Sequence, residues 1–317
     1  RNFESSFNTV QPYTYYKLQI PNDNTTLKLS GNYLITITNE DDEIIFTRPF
    51  IVYQPKVTVG VSVHKSRNIS SISTKHNIEF SVNHPDLRIN NPSQEIKVAV
   101  YQNHDWNTII KNIKPQFYRG NQLLYKYSDK VSFWAGNEYL FFDTKEIRNA
   151  TNNIAKTRLD GLLQTYLYTD EMRKNKPYTF YPDVNGNFVI RTIDSEITAT
   201  EADYSQVHFA LEAFTDIEQD NIYIYGDFND WQLNEENRMT YDKNHKLYTC
   251  TLLLKQGFYN YSYVTANDNQ EINNRAIEGS FFQTENDYSV LVYYKPIGSR
   301  YHQVIGYGQA NSENLRN

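Results

Sequence analysis

Between Val57 and Val63 the chain reads Val-Thr-Val-Gly-Val-Ser-Val, and this strict alternation of valine with small residues is the signature of a half-buried β-strand. Segments of the same kind recur to the end of the chain. They run over Tyr13–Ile20, Asn32–Thr38, Ile44–Tyr53, Asn77–Asn83, Glu95–Gln102, Gln116–Tyr127, Glu138–Asp143, Arg158–Tyr168, Tyr178–Thr192, Gln206–Phe214, Asn221–Gly226, Lys246–Lys255, Tyr259–Thr265 and Tyr288–Lys295. Helical periodicity is weak throughout, and the best candidate, Asp105–Lys111, is long enough for one or two isolated turns. The composition agrees: 27 Tyr and 17 Phe suit pleated surfaces, and 36 Asn supply turns. The fold class expected is all-β, built from tandem immunoglobulin-like β-sandwiches.

Turn signals divide the series. Asn39-Glu40-Asp41-Asp42 joins two strands into a hairpin, and Asn185-Gly186, between Tyr-Thr-Phe-Tyr and Phe-Val-Ile-Arg, suits a type I′ hairpin with both central residues at positive φ. Gln54-Pro55 closes the first block. Three strands in 1–54 fall short of the roughly seven strands of an immunoglobulin-like sandwich, so these residues are expected to be the C-terminal part of a domain whose beginning lies outside this sequence. The sequence begins at Arg1 without a Met, a basic n-region or an apolar h-region, so any targeting signal is expected to have been removed or to lie outside this sequence. An incomplete sandwich leaves sheet edges and apolar surface uncovered, which predicts local instability there. A central block, 55–200, and a C-terminal block, 201–317, complete the expected organisation. The tail after Pro296 offers one further strand, and 311–317 is expected to fray.

Several function classes find no support. A net charge of −6, without long like-charge runs, offers no footprint for a nucleic acid backbone. No run of 18 apolar residues exists, and the mean hydropathy is −0.68. The seven histidines lack the short spacings of a zinc site, and Asp183-Val184-Asn185-Gly186-Asn187 has its glycine too early for a calcium loop, so no metal ligand is assigned. Phosphate-binding glycine motifs and the nucleophile elbow are absent; Gly306-Tyr307-Gly308 has no helix behind it. No cofactor and no catalytic residue are therefore assigned. The carboxylate pairs Asp41-Asp42, Asp170-Glu171 and Glu235-Glu236 are expected in solvated turns or polar segments rather than across a cleft, as a glycosidase or a degraded relative of one would need. Cys250, the only cysteine, lies in a strand pattern and is expected to be a buried small hydrophobe.

The stretch Gly226-Asp227-Phe228-Asn229-Asp230-Trp231, followed by Met239, Gly257, Tyr259 and Tyr261, resembles the early-set sandwich of glycogen-binding modules. Gly226 permits a tight exit from the strand, and Phe228 and Trp231 can fold back onto the sheet. That family's sugar platform adds a lysine and a second tryptophan. Here Ser262 stands near the lysine position and 266–270 holds no tryptophan, so of the sugar-contacting set only Trp231 is present, which argues against a glycan partner.

A wider resemblance spans nearly the whole chain. Phe3-Glu4-x-Ser6-Phe7-Asn8-Thr9, Leu29-Ser30-Gly31-Asn32-Tyr33-Leu34, Gln102-Asn103-x-x-Trp106, Gly136-Asn137-Glu138-Tyr139-x-x-Phe142-Asp143, Asp183-x-Asn185-Gly186-Asn187-Phe188, Ala202-Asp203-Tyr204 and Lys255-Gln256-Gly257-x-Tyr259-Asn260-Tyr261 together resemble the plug protein of the Bacteroidota type IX secretion system. The resemblance implies a non-enzymatic periplasmic protein, associated with the outer membrane, that closes the periplasmic opening of a large translocon barrel. The implied partner is that barrel protein; the residues of the interface are not identifiable from the pattern. The alternative is a carbohydrate-binding protein that uses the early-set domain around Trp231.

Overall fold

The computed structural model describes residues 2–193, 195–212 and 221–315. The chain is nearly all β and forms two compact units: residues 1–18 with 135–285, and residues 19–134 with 286–317. The consecutive blocks 55–200 and 201–317 therefore do not close on themselves. Strand pairing decides this, because Asp287–Tyr294 lies along Ile96–Gln102 and carries the C-terminal segment into the second unit.

The second unit is a sandwich of two antiparallel sheets. In one, Lys75–Asn83 pairs with Thr58–Lys65 on one edge and with Gln122–Tyr125 and Ser132–Trp134 on the other, and Phe117–Arg119 completes it. The other runs Gln303–Asn311, Asp287–Tyr294, Ile96–Gln102, Asp105–Lys111. Alternate residues of both sheets meet in one core, with Val63, Ile78, Phe80 and Val82 facing Val98, Val100, Val290 and Val292. Gly308 is required by close approach: a Cβ there would fall 2.7 Å from the Val59 carbonyl oxygen. On the outer face of the second sheet, Ala99, Tyr101, Leu291 and Val304 form a smaller cluster with Ile51.

The first unit centres on Gly257–Ala266, which pairs with Leu140–Asp143, Phe188–Ile190, Asn221–Tyr225 and Ile272–Asn273. Its second sheet runs Ile154–Asp160, Leu162–Leu167, Tyr204–Glu212, Leu247–Lys255, Thr240–Asp242, and Asp170–Glu171 pairs with the end of Tyr204–Glu212. Leu162–Leu167 and Tyr204–Glu212 are parallel. Phe142, Phe209, Leu211, Ile224 and the alternating Tyr259, Tyr261 and Tyr263 fill the space between the sheets. Cys250 is buried there, as expected, and burial pushes its thiol up to about 11.

Several local expectations are corrected. Asp105–Lys111 is a strand, not a helical turn: Asn103 and His104, at φ 49° and 59°, make a tight turn that sets Gln102 opposite Asp105, and Thr108, Ile109 and Ile110 suit the ladder. The Arg158–Tyr168 segment is the bend of a hairpin, turned at Gly161 with φ 69°. Asn185-Gly186 turns as expected, with both φ positive and Asn187 N–H donating to the Val184 carbonyl at 3.1 Å, but only Phe188–Ile190 is a strand and it pairs with 257–259. The arm before it is held by side chains instead. Gln303–Asn311 supplies the further strand. Beyond it, Asn311 caps the Glu313 N–H at 2.7 Å and Ser312 is buried, so the chain is held to Leu315; residues 316 and 317 lie outside the described residues. So do residues 213 and 214 of the expected strand Gln206–Phe214, whose described part is Tyr204–Glu212.

Candidate functional site

In the second unit, Gly31–Thr38 and Ile44–Val52 form the hairpin expected from the sequence. Its register places Tyr33 opposite Phe50, Ile35 opposite Arg48 and Ile37 opposite Phe46, so one face is apolar with a single guanidinium. Tyr33 stacks on Phe50 with ring centroids 5.2 Å apart, and Arg48 lies 5.5 Å from the centre of Phe46. At the root of the opposite face, Ile51 joins the cluster around Tyr101 and Leu291, and the Tyr293 hydroxyl donates to Asn32 Oδ1 at 3.0 Å. The root is thereby anchored. Towards the tip, Leu34 and Ile44 are 61 % and 65 % exposed. No residue among those described between 3 and 54 is buried.

In the first unit, Asn2–Ser5 and Thr14–Lys17 make a second small hairpin with Phe3 and Tyr16 both exposed. It is tied down by Asp203, which accepts the N–H groups of Val10 and Gln11 at 2.5 and 3.1 Å, and by Tyr13, whose hydroxyl donates to the Ala202 carbonyl at 2.8 Å. Strands this long, with this much apolar side chain left in water, mark an interaction surface.

The sequence motifs fall elsewhere. Trp231 is 4 % exposed and packs edge-on to Tyr225 and Tyr139, so its ring is core and not a platform. Among the described residues no group of three or more His, Cys, Asp or Glu could hold a metal ion. Asp41-Asp42 and Glu235-Glu236 lie in exposed turns, but Asp170 does not: its Oδ2 accepts the hydroxyls of Tyr261 and Tyr263 at 2.8 and 2.7 Å.

Around it runs a network of acids that no local pattern of residues announces. Arg173 pairs with Glu278 at 2.6 Å and donates to the Glu138 carbonyl at 2.8 Å. Glu138 accepts from the Tyr178 hydroxyl and from Glu285 N–H on Oε1, and nearby Asp183 accepts the N–H groups of Tyr139 and Asn185. Burial pushes Glu138 up to about 7, and the neighbouring carboxylates of Asp183 and Glu285 act in the same direction. The network therefore reads as a clasp between 137–139 and 178–185. In the folded protein Glu138 holds its proton above its ordinary value of 4.5, so its contribution to stability is complete below that value and is lost as the pH rises to about 7. Denaturant midpoints measured from pH 4 to 8 should fall over that interval, and Glu138→Gln should flatten the fall.

The comparisons with known proteins bear on this surface directly. Residues 1–54, which hold both hairpins, match the family model described as the type 9 secretion system plug protein first domain. The match ends where Gln54-Pro55 closes the first block. A crystal structure of a hypothetical protein from Parabacteroides merdae ATCC 43184 is 33 % identical, with a TM-score of 0.94, over 98 % of this chain and 79 % of that one. The chain belongs to the same family as that protein. No curated protein matches it. The matched segment thus contributes to both compact units, with 1–18 in one and 19–54 in the other. No helix among the described residues is long and apolar enough to cross a membrane.

Proposed function

We propose that the chain is a non-enzymatic plug or gate subunit of the type IX secretion translocon, which closes the periplasmic opening of a large outer-membrane barrel through the uncovered hairpin 31–52. The observation that carries this reading is the match of the plug first domain to residues 1–54, of which none of those described from 3 to 54 is buried. A barrel of very many strands encloses a lumen that side chains do not fill, so an idle translocon needs a folded body to stop leakage. A rigid sandwich with a broad aromatic and aliphatic face suits reversible closure, because such anchors give affinity without a covalent or metal link. The periplasmic, outer-membrane-associated location follows from the same reading.

Affinity purification of the tagged full-length protein from outer membranes of its own bacterium, with mass spectrometry, tests it. A very large barrel protein is expected to be recovered. Changing Leu34, Ile44 and Phe46 together to serine should reduce that recovery roughly 10-fold or more, as for interface anchors, and shift stability by no more than about 1 kcal/mol because the side chains are exposed. Retention on a glucan column with no membrane partner would favour the carbohydrate-binding alternative instead.

A further inference from the structure

In the first unit, two adjoining depressions of about 530 and 430 Å³ open between Leu140–Asp143 and the irregular chain 172–187, and they share Leu140, Asp170, Arg173 and Tyr181. The larger is walled by Tyr139, Phe141, Tyr168, Tyr181 and Tyr261. Tyr168 and Tyr181 are 62 % and 49 % exposed, so their rings remain available to a ligand.

The charge at the floor is unbalanced. Asp170 receives both tyrosine hydroxyls on Oδ2, and its Oδ1 accepts no hydrogen bond from the described residues. Arg173 is the nearby cation, but its guanidinium is committed to Glu278 and the Glu138 carbonyl and makes no ion pair with Asp170. Lys176, on the rim of the smaller depression, is paired with Glu171. Two carboxylates, Asp170 and Glu278, thus face one guanidinium. Burial pushes Asp170 up to about 6 in spite of its two donors, as expected of a carboxylate short of a counter-ion.

We propose that this cleft binds a cationic side chain, lysine or arginine, presented by an extended polypeptide segment. The ammonium or guanidinium would occupy the open side of Asp170, and its aliphatic stem would lie along the tyrosine rings, an arrangement that combines charge pairing with cation–π attraction. A neutral sugar could donate a hydroxyl to Oδ1 but would leave the buried charge uncompensated, which favours the cation. The two depressions lie side by side, so residues flanking the bound side chain have room along the cleft, with the exposed Asn152 and Thr179 on its rim. This inference does not rest on the plug reading, and its failure would leave recovery of the barrel unchanged.

The test is an NMR titration of the full chain with acetyl-Gly-Lys-Gly-amide, with the norleucine peptide and maltotriose as controls. The lysine peptide is expected to shift resonances of Tyr168 and Tyr181 with a dissociation constant in the millimolar range, as for a single anchored side chain, and the norleucine peptide to bind at least tenfold more weakly. Asp170→Asn, which keeps the shape and the acceptor for the tyrosines, should remove the preference for lysine. Tyr181→Ala, at an exposed ring, should weaken binding several-fold and carries the test should Asp170→Asn not fold. Equal binding of the two peptides, undiminished binding in the variants, maltotriose at these residues in place of the lysine peptide, or no shift at all would each overturn the proposal.

Discussion

Trp231→Ala is expected to destabilise the protein by about 3–5 kcal/mol, the range for removing a large aromatic side chain from a packed core. The ring is enclosed by Tyr225, Tyr139 and Val264, with aromatic centroids 5.1 and 6.1 Å away, and the chain is shaped to admit it. Asp230 and Trp231 both adopt left-handed backbone, at φ 56° and 58°, a conformation that costs a non-glycine residue about 1–2 kcal/mol and so persists only where packing over-determines it. Across the contact, Gly186 sits at φ 81°, and a Cβ there would fall 2.2 Å from Trp231 Cη2. Only glycine fits between that turn and the ring. Urea unfolding should show a lower midpoint for Trp231→Ala with little change in slope, and Gly186→Ala should be destabilised too, through both the clash and its backbone angle. The same variant separates the two functional readings. A ring stacked on sugar would lose glucan affinity at unchanged stability; a core ring loses stability instead.

Gly226-Asp227-Phe228-Asn229-Asp230-Trp231 shows how far the sequence can be read. Its strand, its exit and the folding back of Trp231 were legible because they depend on neighbouring residues, as did the hairpin 31–52 and the turn at Asn185-Gly186. Turns without glycine were not: Asn103-His104 adopts the same left-handed pair as Asn-Gly, and missing it turned a strand into an expected helix. Long-range pairing left no local trace either. Nothing near Ile96–Gln102 signals that Asp287–Tyr294 will lie beside it, so the interleaving of the two units had to come from the structure. The same holds for Asp170, whose tyrosine partners stand 91 and 93 residues away. The Tyr259-x-Tyr261-x-Tyr263 alternation announced an inward-facing row of hydroxyls, each of which needs a buried acceptor; that requirement was the one available signal.

Arg173→Met is expected to cost about 3–5 kcal/mol, because it strips the cation from a buried pair and leaves the anion behind. Glu278 is 4 % exposed, its Oε2 takes the Arg173 guanidinium at 2.6 Å, and its Oε1 accepts the Tyr263 N–H at 3.0 Å, so it has no room to turn towards water. Asp170 would lose the nearby positive charge of Arg173 as well. The penalty comes from orphaned carboxylates and not from lost packing, since methionine retains most of the stem. Two measurements distinguish these causes. The double variant Arg173→Met, Glu278→Gln should recover most of the lost stability, because the amide keeps the bond from Tyr263 without the charge. Acidification should also rescue the single variant. Orphaned carboxyls hold their protons above the ordinary range in the folded state, so the folded protein binds more protons than the unfolded chain and stability returns as the pH falls from 7 towards 4. A single variant as stable as the wild type at pH 7, or one that weakens further on mild acidification, would mean that the guanidinium does not neutralise this site. Asp170 would then lie open to the cleft without the neighbouring cation that now partly offsets its charge.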